Sequence, residues 1–239
     1  GQRMMMALQG IVRADTGEIA SHECLLRMDK GDGTLVMPGD FVPIAEQLGL
    51  ARLIDTRVLE LAVALIRKDP ALRLSFNVSG LTTHDHEWLI ALHRLTGGDR
   101  RLTGRLTIEI TETTAIADLD ECAGFVDALQ ELGCRVAIDD FGAGFTSFQL
   151  LRHLGADVLK IDGSYVRNLA ADKSSLAFIE AMVLIANSLG METVAEWVGD
   201  SETAEMLRRV GVTYLQGFHF STPVLASLDA PPAADASSR

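Results

Sequence analysis

The sequence predicts an α/β fold, a (β/α)8 barrel with an antiparallel start, and three observations carry that reading. Short β-rich runs alternate with longer helical patterns at intervals of about 25–30 residues, as a parallel sheet with crossover helices requires. Gly133, Gly190 and Gly211 each follow a helical run and precede a strand, where a helix-ending glycine belongs. Two apolar runs at the start flank Asp15-Thr-Gly17 and read as a hairpin.

The elements follow in order. Residues 5–12 and 18–28 form the hairpin strands. Alternating or continuous apolar runs over 72–78, 105–110, 134–139, 157–161, 192–195 and 212–215 read as six further strands. Apolar residues at i, i+3, i+4 spacing mark helices over about 51–68, 85–96, 119–132, 174–189 and 201–210. No internal boundary or repeat is visible, so residues 1–228 are expected to form one domain. Residues 229–239, rich in Ala, Pro, Ser and Asp, have the composition of a disordered tail outside it.

Composition narrows the function. Of 239 residues 48% are apolar and 5% aromatic, and 21 Lys+Arg against 33 Asp+Glu leave a formal charge of −12. That balance argues against a nucleic-acid polymer, which needs a basic face, and against direct contact with an anionic membrane. The longest apolar stretches fall far short of the ~20 residues that span a bilayer. The start of the chain has no signal-peptide anatomy, and three scattered cysteines fit neither a disulfide framework nor a zinc site, which suits a reduced, cytoplasmic setting.

The polar residues fall at strand ends. Glu23 lies late in the second strand, Asn77 ends the third, and Glu109 with Glu112 ends the fourth. Asp139 and Asp140 close the fifth, Lys160 and Asp162 the sixth, Glu196 the seventh and Gln216 the eighth. In a barrel the C-terminal strand ends converge on one mouth. Any one such residue reads more readily as a loop or capping group, as Asp139-Asp140 would before a helix. Their recurrence at six consecutive strand ends points instead to one cleft. Several carboxylates there raise one another's pKa, and a pair of divalent metals relieves the repulsion. Oxygen donors with one Asn and no Cys or His suit Mg²⁺ or Mn²⁺, and two ions about 3.5–4 Å apart form the clamp used on phosphate esters. The arginines at 94, 100, 101 and 105 read as a solvated loop, and His84 with His86 as capping chemistry ahead of a helix.

These residues resemble the EAL domain family. Glu23-Cys-Leu-Leu-Arg27 is similar to its E-A-L-L-R motif, Asn77-Val-Ser79 to N-[LV]-S, and Glu109-Ile-Thr-Glu112 to E-[IL]-T-E. The run Asp139-Asp-Phe-Gly-Ala-Gly-Phe-Thr-Ser147 resembles D-D-F-G-[TA]-G-[YF]-[ST]-S, and Leu159-Lys-Ile-Asp162 resembles L-K-I-D. Ala195-Glu196 and Gln216-Gly217 match the last two motifs, so the resemblance covers about residues 4–225.

The resemblance implies a TIM-like barrel with one antiparallel strand that hydrolyses cyclic di-GMP to linear pGpG by two-metal, in-line water attack. It implies that Glu23, Asn77, Glu109 and Asp139 hold one ion, and that Asp139, Asp140 and Glu196 serve the second ion or its water. Lys160 would orient the attacking water or meet charge on the phosphate. Glu112, grouped with Lys160 and Glu196 as catalytic, would anchor the loop from Asp140 to Phe148. Gln9, Leu25, Arg27 and Gln216 would contact the substrate. A homodimer, and sensory or GGDEF domains elsewhere in a longer, membrane-attached chain, are further implications.

The departures count as well. Cys24 stands in place of Ala, Met28 where Trp is usual and Gly10 where Pro is usual. The seventh motif commonly reads A-E-G-V-E, whereas this chain has Ala195-Glu-Trp-Val-Gly199, so Trp197 replaces a glycine and Gly199 a carboxylate. Reduced rather than absent activity is the expectation. A receptor that binds cyclic di-GMP without hydrolysing it is the alternative, and an interaction module that does neither is a third reading.

Overall fold

A computed structural model describes residues 3–144, 148–167, 169–170 and 172–226. The expected tail at 229–239 and the Phe145-Thr-Ser147 end of the long acidic motif lie outside the described residues.

The strands are β1 Met4–Arg13, β2 Ile19–Asp29, β3 Leu35–Val36, β4 Leu74–Asn77, β5 Leu106–Thr111, β6 Arg135–Phe141, β7 Val158–Ile161, β8 Glu192–Ala195, β9 Tyr214–Gln216 and β10 Val224–Leu225. The helices are α1 Pro38–Gln47, α2 Ala51–Lys68, α3 His86–Thr96, α4 Arg100–Thr103, α5 Glu112–Ala117, α6 Leu119–Glu131, α7 Phe148–Leu154, α8 Gly163–Val166, α9 Lys173–Ser188 and α10 Ser201–Val210. Eight strands, β1, β2 and β4 to β9, close a barrel, because β1 pairs with both β2 and β9. β1 runs antiparallel to both neighbours, while β2 and β4 to β9 run parallel. The fold class expected from the sequence is the one observed, and β1 is its reversed strand. The two-residue strands β3 and β10 extend the sheet at the rim.

Side-chain alternation along each strand separates two cores. Outward residues such as Leu74, Phe76, Ile108, Ile138 and Leu159 join the main core beneath the helices. Inside the barrel Ile11, Ala137, Val158 and Val194 form a small apolar cluster against Tyr214. Cys24 joins the outer core, while Glu23 and Leu25 line the mouth, as the alternation requires. Glycines 133, 190 and 211 all have positive φ after their helices. The arginine-rich turn expected after α3 instead contains the single-turn helix α4, capped by the Asp99 side chain on the Arg101 N–H.

Candidate active site at the barrel mouth

The centre of the site is a buried ammonium. Lys160, on β7 and 1% exposed, places Nζ 2.8 Å from Glu109 Oε2, Asp139 Oδ1 and Glu196 Oε1, and 3.9 Å from Glu23 Oε2. Burial alone would lower its pKa, but the carboxylates of Asp139, Glu109, Glu196 and Glu23 outweigh that and raise it well above the ordinary lysine value. The acids respond in turn. Burial, aided by Glu23 and Asp139, pushes Glu109 well up against the pull of Lys160. Burial also pushes Glu196 up to about 8, again against Lys160 and with Asp139 and Glu23 adding to the rise.

How two adjacent aspartates reach one mouth is a matter of register. The pairing of β6 with β7 shifts between Ile138 and Phe141, and both of those side chains enter the outer core. Strict alternation would put residues three apart on opposite faces, so the strand holds an extra residue here, a β-bulge. Asp140 absorbs it with a left-handed φ of 54°, a region Asp tolerates better than most residues. One carboxylate oxygen each from Asp139, Asp140 and Glu196 lie within 4.8 Å of one another. Asp139 is buried, Glu196 half-buried and Asp140 exposed, and Asp140 is raised by burial and by Asp139. The donor set, all carboxylate oxygen, is one a hard divalent cation takes.

The remaining residues surround this core. Gln216 donates to Glu23 Oε2 at 2.6 Å and to Gln9 Oε1 at 3.3 Å, and Gln9 donates to the Ser221 carbonyl at 3.0 Å. The Gly10 N–H also bonds to Ser221, through Oγ at 3.1 Å, which a proline could not do. Asn77, exposed, donates to Glu109 Oε2 at 3.1 Å. Arg27 is buried and donates to the Leu26 carbonyl at 2.8 Å, with no ion pair to a carboxylate among the described residues. Gln9, Glu23, Leu25, Arg27, Asp139, Asp140, Glu196 and Gln216 all line one cavity of about 520 Å³. Glu112 stands apart. It opens α5, and its Oε2 accepts the Gly142 N–H at 2.9 Å, pinning the start of the loop after β6. Gly142 must be glycine, since its φ is +100° and a Cβ would lie 2.6 Å from the Tyr165 ring.

One residue escaped the sequence reading, and one replacement noted in it takes an unforeseen position. Asp55 on α2 accepts from Ser79 N at 2.9 Å, Ser79 Oγ at 2.6 Å and Thr82 Oγ1 at 2.6 Å, fixing the turn after Asn77. A carboxylate on the apolar stripe of Ile54, Val58, Leu59 and Ala62 was the available signal. Trp197 is the other. At 56% exposure it sits on the cavity rim, with φ 58°, its ring against Gly163 and the Arg167 guanidinium 3.8 Å from the ring centroid.

Fold and site together define a class of barrel domains in which a buried lysine and converging carboxylates share one open mouth. The sequence matches the EAL domain family across residues 1–223, and the chain belongs to that family. It is 32% identical over 206 residues to cyclic di-GMP phosphodiesterase PdeF of Escherichia coli (strain K12), covering 84% of this chain and 28% of that protein. It is 30% identical over 230 residues to the bifunctional diguanylate cyclase/cyclic di-GMP phosphodiesterase MucR of Pseudomonas aeruginosa, covering 94% of this chain and 34% of the relative. The chain thus spans about a third or less of the length of these relatives. Among solved structures, the PaMucR phosphodiesterase–c-di-GMP complex superposes with a TM-score of 0.86 at 30% identity, over 97% of this chain and 93% of that one. The FimX EAL domain from Pseudomonas aeruginosa bound to c-di-GMP gives 0.87 at 25% identity, over 95% and 93%.

Proposed function

We propose that this chain is a phosphodiesterase that opens cyclic di-GMP to linear pGpG with the help of two divalent ions, Mg²⁺ or Mn²⁺. The observation that carries the reading is the juxtaposition of the Lys160 cluster, the bulged Asp139-Asp140 pair and the carboxylate-free Arg27 guanidinium around one cavity. Among the described residues five carboxylates, Glu23, Glu109, Asp139, Asp140 and Glu196, meet two side-chain cations, Lys160 and Arg27, an anionic excess that divalent cations offset. Glu23, Asn77, Glu109 and Asp139 would hold one ion, and Asp139, Asp140 and Glu196 the other. When bound, such ions lower the pKa of water and polarise the phosphoryl oxygens.

The chain's own groups have separate tasks. Arg27 clamps a phosphate by charge-assisted hydrogen bonds, and Gln9, Leu25 and Gln216 hold the ligand against the rim. Glu196, ionised beside Lys160 and Asp139, accepts a proton from the attacking water. Lys160 orients that water and meets the charge developing on phosphate. The water oxygen bonds to phosphorus in line with the leaving O3′, whose bond breaks and which takes up a proton. Glu112 acts on the loop through Gly142 and touches no reacting atom.

The exposed Phe148, Phe178 and Leu184 on α7 and α9 support the homodimer, which size-exclusion chromatography with light scattering tests. We further assign the domain to the cytoplasm. Among the described residues no helix is long and apolar enough to cross a membrane. Chromatography after incubation with cyclic di-GMP and Mg²⁺ or Mn²⁺ should show pGpG, and Asp139→Asn should abolish it. Tight nucleotide binding by calorimetry without any pGpG would replace the enzyme reading with a receptor, a reading the missing carboxylate at Gly199 favours.

A further inference from the structure

The opposite end of the barrel holds a second cavity, of about 410 Å³. Arginines surround its opening: Arg13 at the end of the reversed β1, Arg73 and Arg105 just before β4 and β5, and Arg135 at the start of β6. In a chain of formal charge −12 this concentration of guanidinium groups is against the grain. Two of them are neutralised locally. Arg13 pairs with Asp15 at 3.0 Å, and Arg135 pairs with Glu192, which also accepts from Tyr214 Oη at 2.9 Å.

The other two have no carboxylate partner among the described residues. Among the described residues Arg73 reaches just the Gly104 carbonyl, at 3.4 Å. Arg105 donates to the carbonyls of Asp69 at 2.8 Å, Leu72 at 3.3 Å and Arg101 at 3.3 Å. Asp99, whose pKa Arg105 helps to lower, is held by Arg101 in a two-point pair. Backbone carbonyls thus orient both groups while leaving their charge uncompensated. An independent observation comes from Ser75, which lines the same cavity. It is 4% exposed, and its Oγ has no hydrogen-bond partner. A buried hydroxyl without a partner costs free energy unless something reaches it.

We propose that this cavity is a second anion site, built for a phosphate or a small phosphomonoester. Guanidinium forks match phosphate oxygens in two-point geometry, and the volume falls in the range of ~300–1,000 Å³ typical of small-molecule sites. Ser75 Oγ donates to the same anion from deeper in the cavity. Glu109 and Lys160 close its inner end, so the two ends of the barrel share those residues as a partition. The site uses the opposite ends of the same strands and differs from the mouth in its charge and its arginines.

The test is calorimetric titration of the chain with inorganic phosphate and, separately, with guanosine 5′-monophosphate, at low salt and in chelator. Saturable binding should weaken roughly tenfold or more in Arg73→Gln/Arg105→Gln and weaken in Ser75→Ala, but stay unchanged in Arg27→Gln. Tighter binding of the nucleotide than of phosphate identifies a phosphomonoester site, and equal binding a site for phosphate alone. Should the double variant fold poorly, amide shifts of the parent on adding phosphate decide the matter. They should fall on Ser75, Thr107 and Ala137 rather than on Gln9, Gly199 and Gly217. No saturable binding up to about 10 mM, or binding abolished by Arg27→Gln, overturns the proposal.

Discussion

Replacing Lys160 with methionine removes a charge while nearly keeping the shape of the side chain, and it isolates what the ammonium contributes. In the metal-free protein Lys160 is the cation within 2.8 Å of Glu109, Asp139 and Glu196. Removing one partner of a buried ion pair costs about 3–5 kcal/mol, because the remaining charge is left uncompensated. For a domain of this size each kcal/mol moves Tm by roughly 2–4 °C, so Lys160→Met should melt about 6–20 °C lower at about pH 8 in chelator. The loss should also depend on pH. Glu196, raised to about 8, and Glu109, raised well above its ordinary value, lose the lowering pull of Lys160 in the variant and rise further. Protonated carboxyls need no ammonium, so the gap should narrow towards about pH 5. Mg²⁺ should recover part of it at the higher pH, by supplying positive charge to the same oxygens. Differential scanning calorimetry at both pH values, with and without Mg²⁺, reads all three effects. A variant that melts within about 2 °C of the parent at the higher pH refutes the account, as does a gap that fails to narrow in acid.

Glu196 makes a second pH prediction. Its folded pKa lies above its unfolded one, so its contribution to stability is fully present below the ordinary glutamate value and is lost as pH rises through about 8. Cation binding needs the ionised form, so affinity for Mn²⁺ should climb by up to about tenfold per pH unit and level off above about 8; calorimetry showing a flat profile from 6 to 8 contradicts this. A Cβ on Gly199 meets nothing within 4 Å, so Gly199→Glu should fold normally, and turnover of cyclic di-GMP should rise. If neither turnover nor metal affinity changes, that carboxylate was not limiting. Asp55→Ala strips the partners from Ser79 and Thr82 and should cost about 2–3 kcal/mol, read as a lower urea midpoint with the m value unchanged.

Most of the barrel was legible because its strands and long helices keep strict periods. The expected helix over 51–68 coincides with Ala51–Lys68, and strand 192–195 with Glu192–Ala195. What escaped were elements that carry too few residues to show a period, such as α4, α8 and β10. Helix α1 was hidden by Pro43 in its interior, a residue that usually argues against a helix. At the site, residue types and strand ends pointed to the converging carboxylates, but their partners were not visible. Alternation alone turns Asp140 away from Asp139, and only the bulge brings both to the mouth. Trp197 stands where the motif usually has glycine, and its left-handed backbone holds it at the rim, where Arg167 covers the ring.

The reversed direction of β1 decides where force enters this barrel. Met4 pairs with Met28 at the mouth end of β2, and the Ala226 N–H bonds to the Met6 carbonyl at 2.8 Å, so both margins of the described fold meet beside the rim. In a barrel whose first strand runs with the others, a segment joined ahead of it would arrive at the base. Here anything attached ahead of Arg3 would pull directly on the strand that carries Gln9, five residues from the end of β1 at Met4. A displacement of β1 by a fraction of an ångström would reach the Gln9–Gln216–Glu23 chain of hydrogen bonds without crossing the barrel.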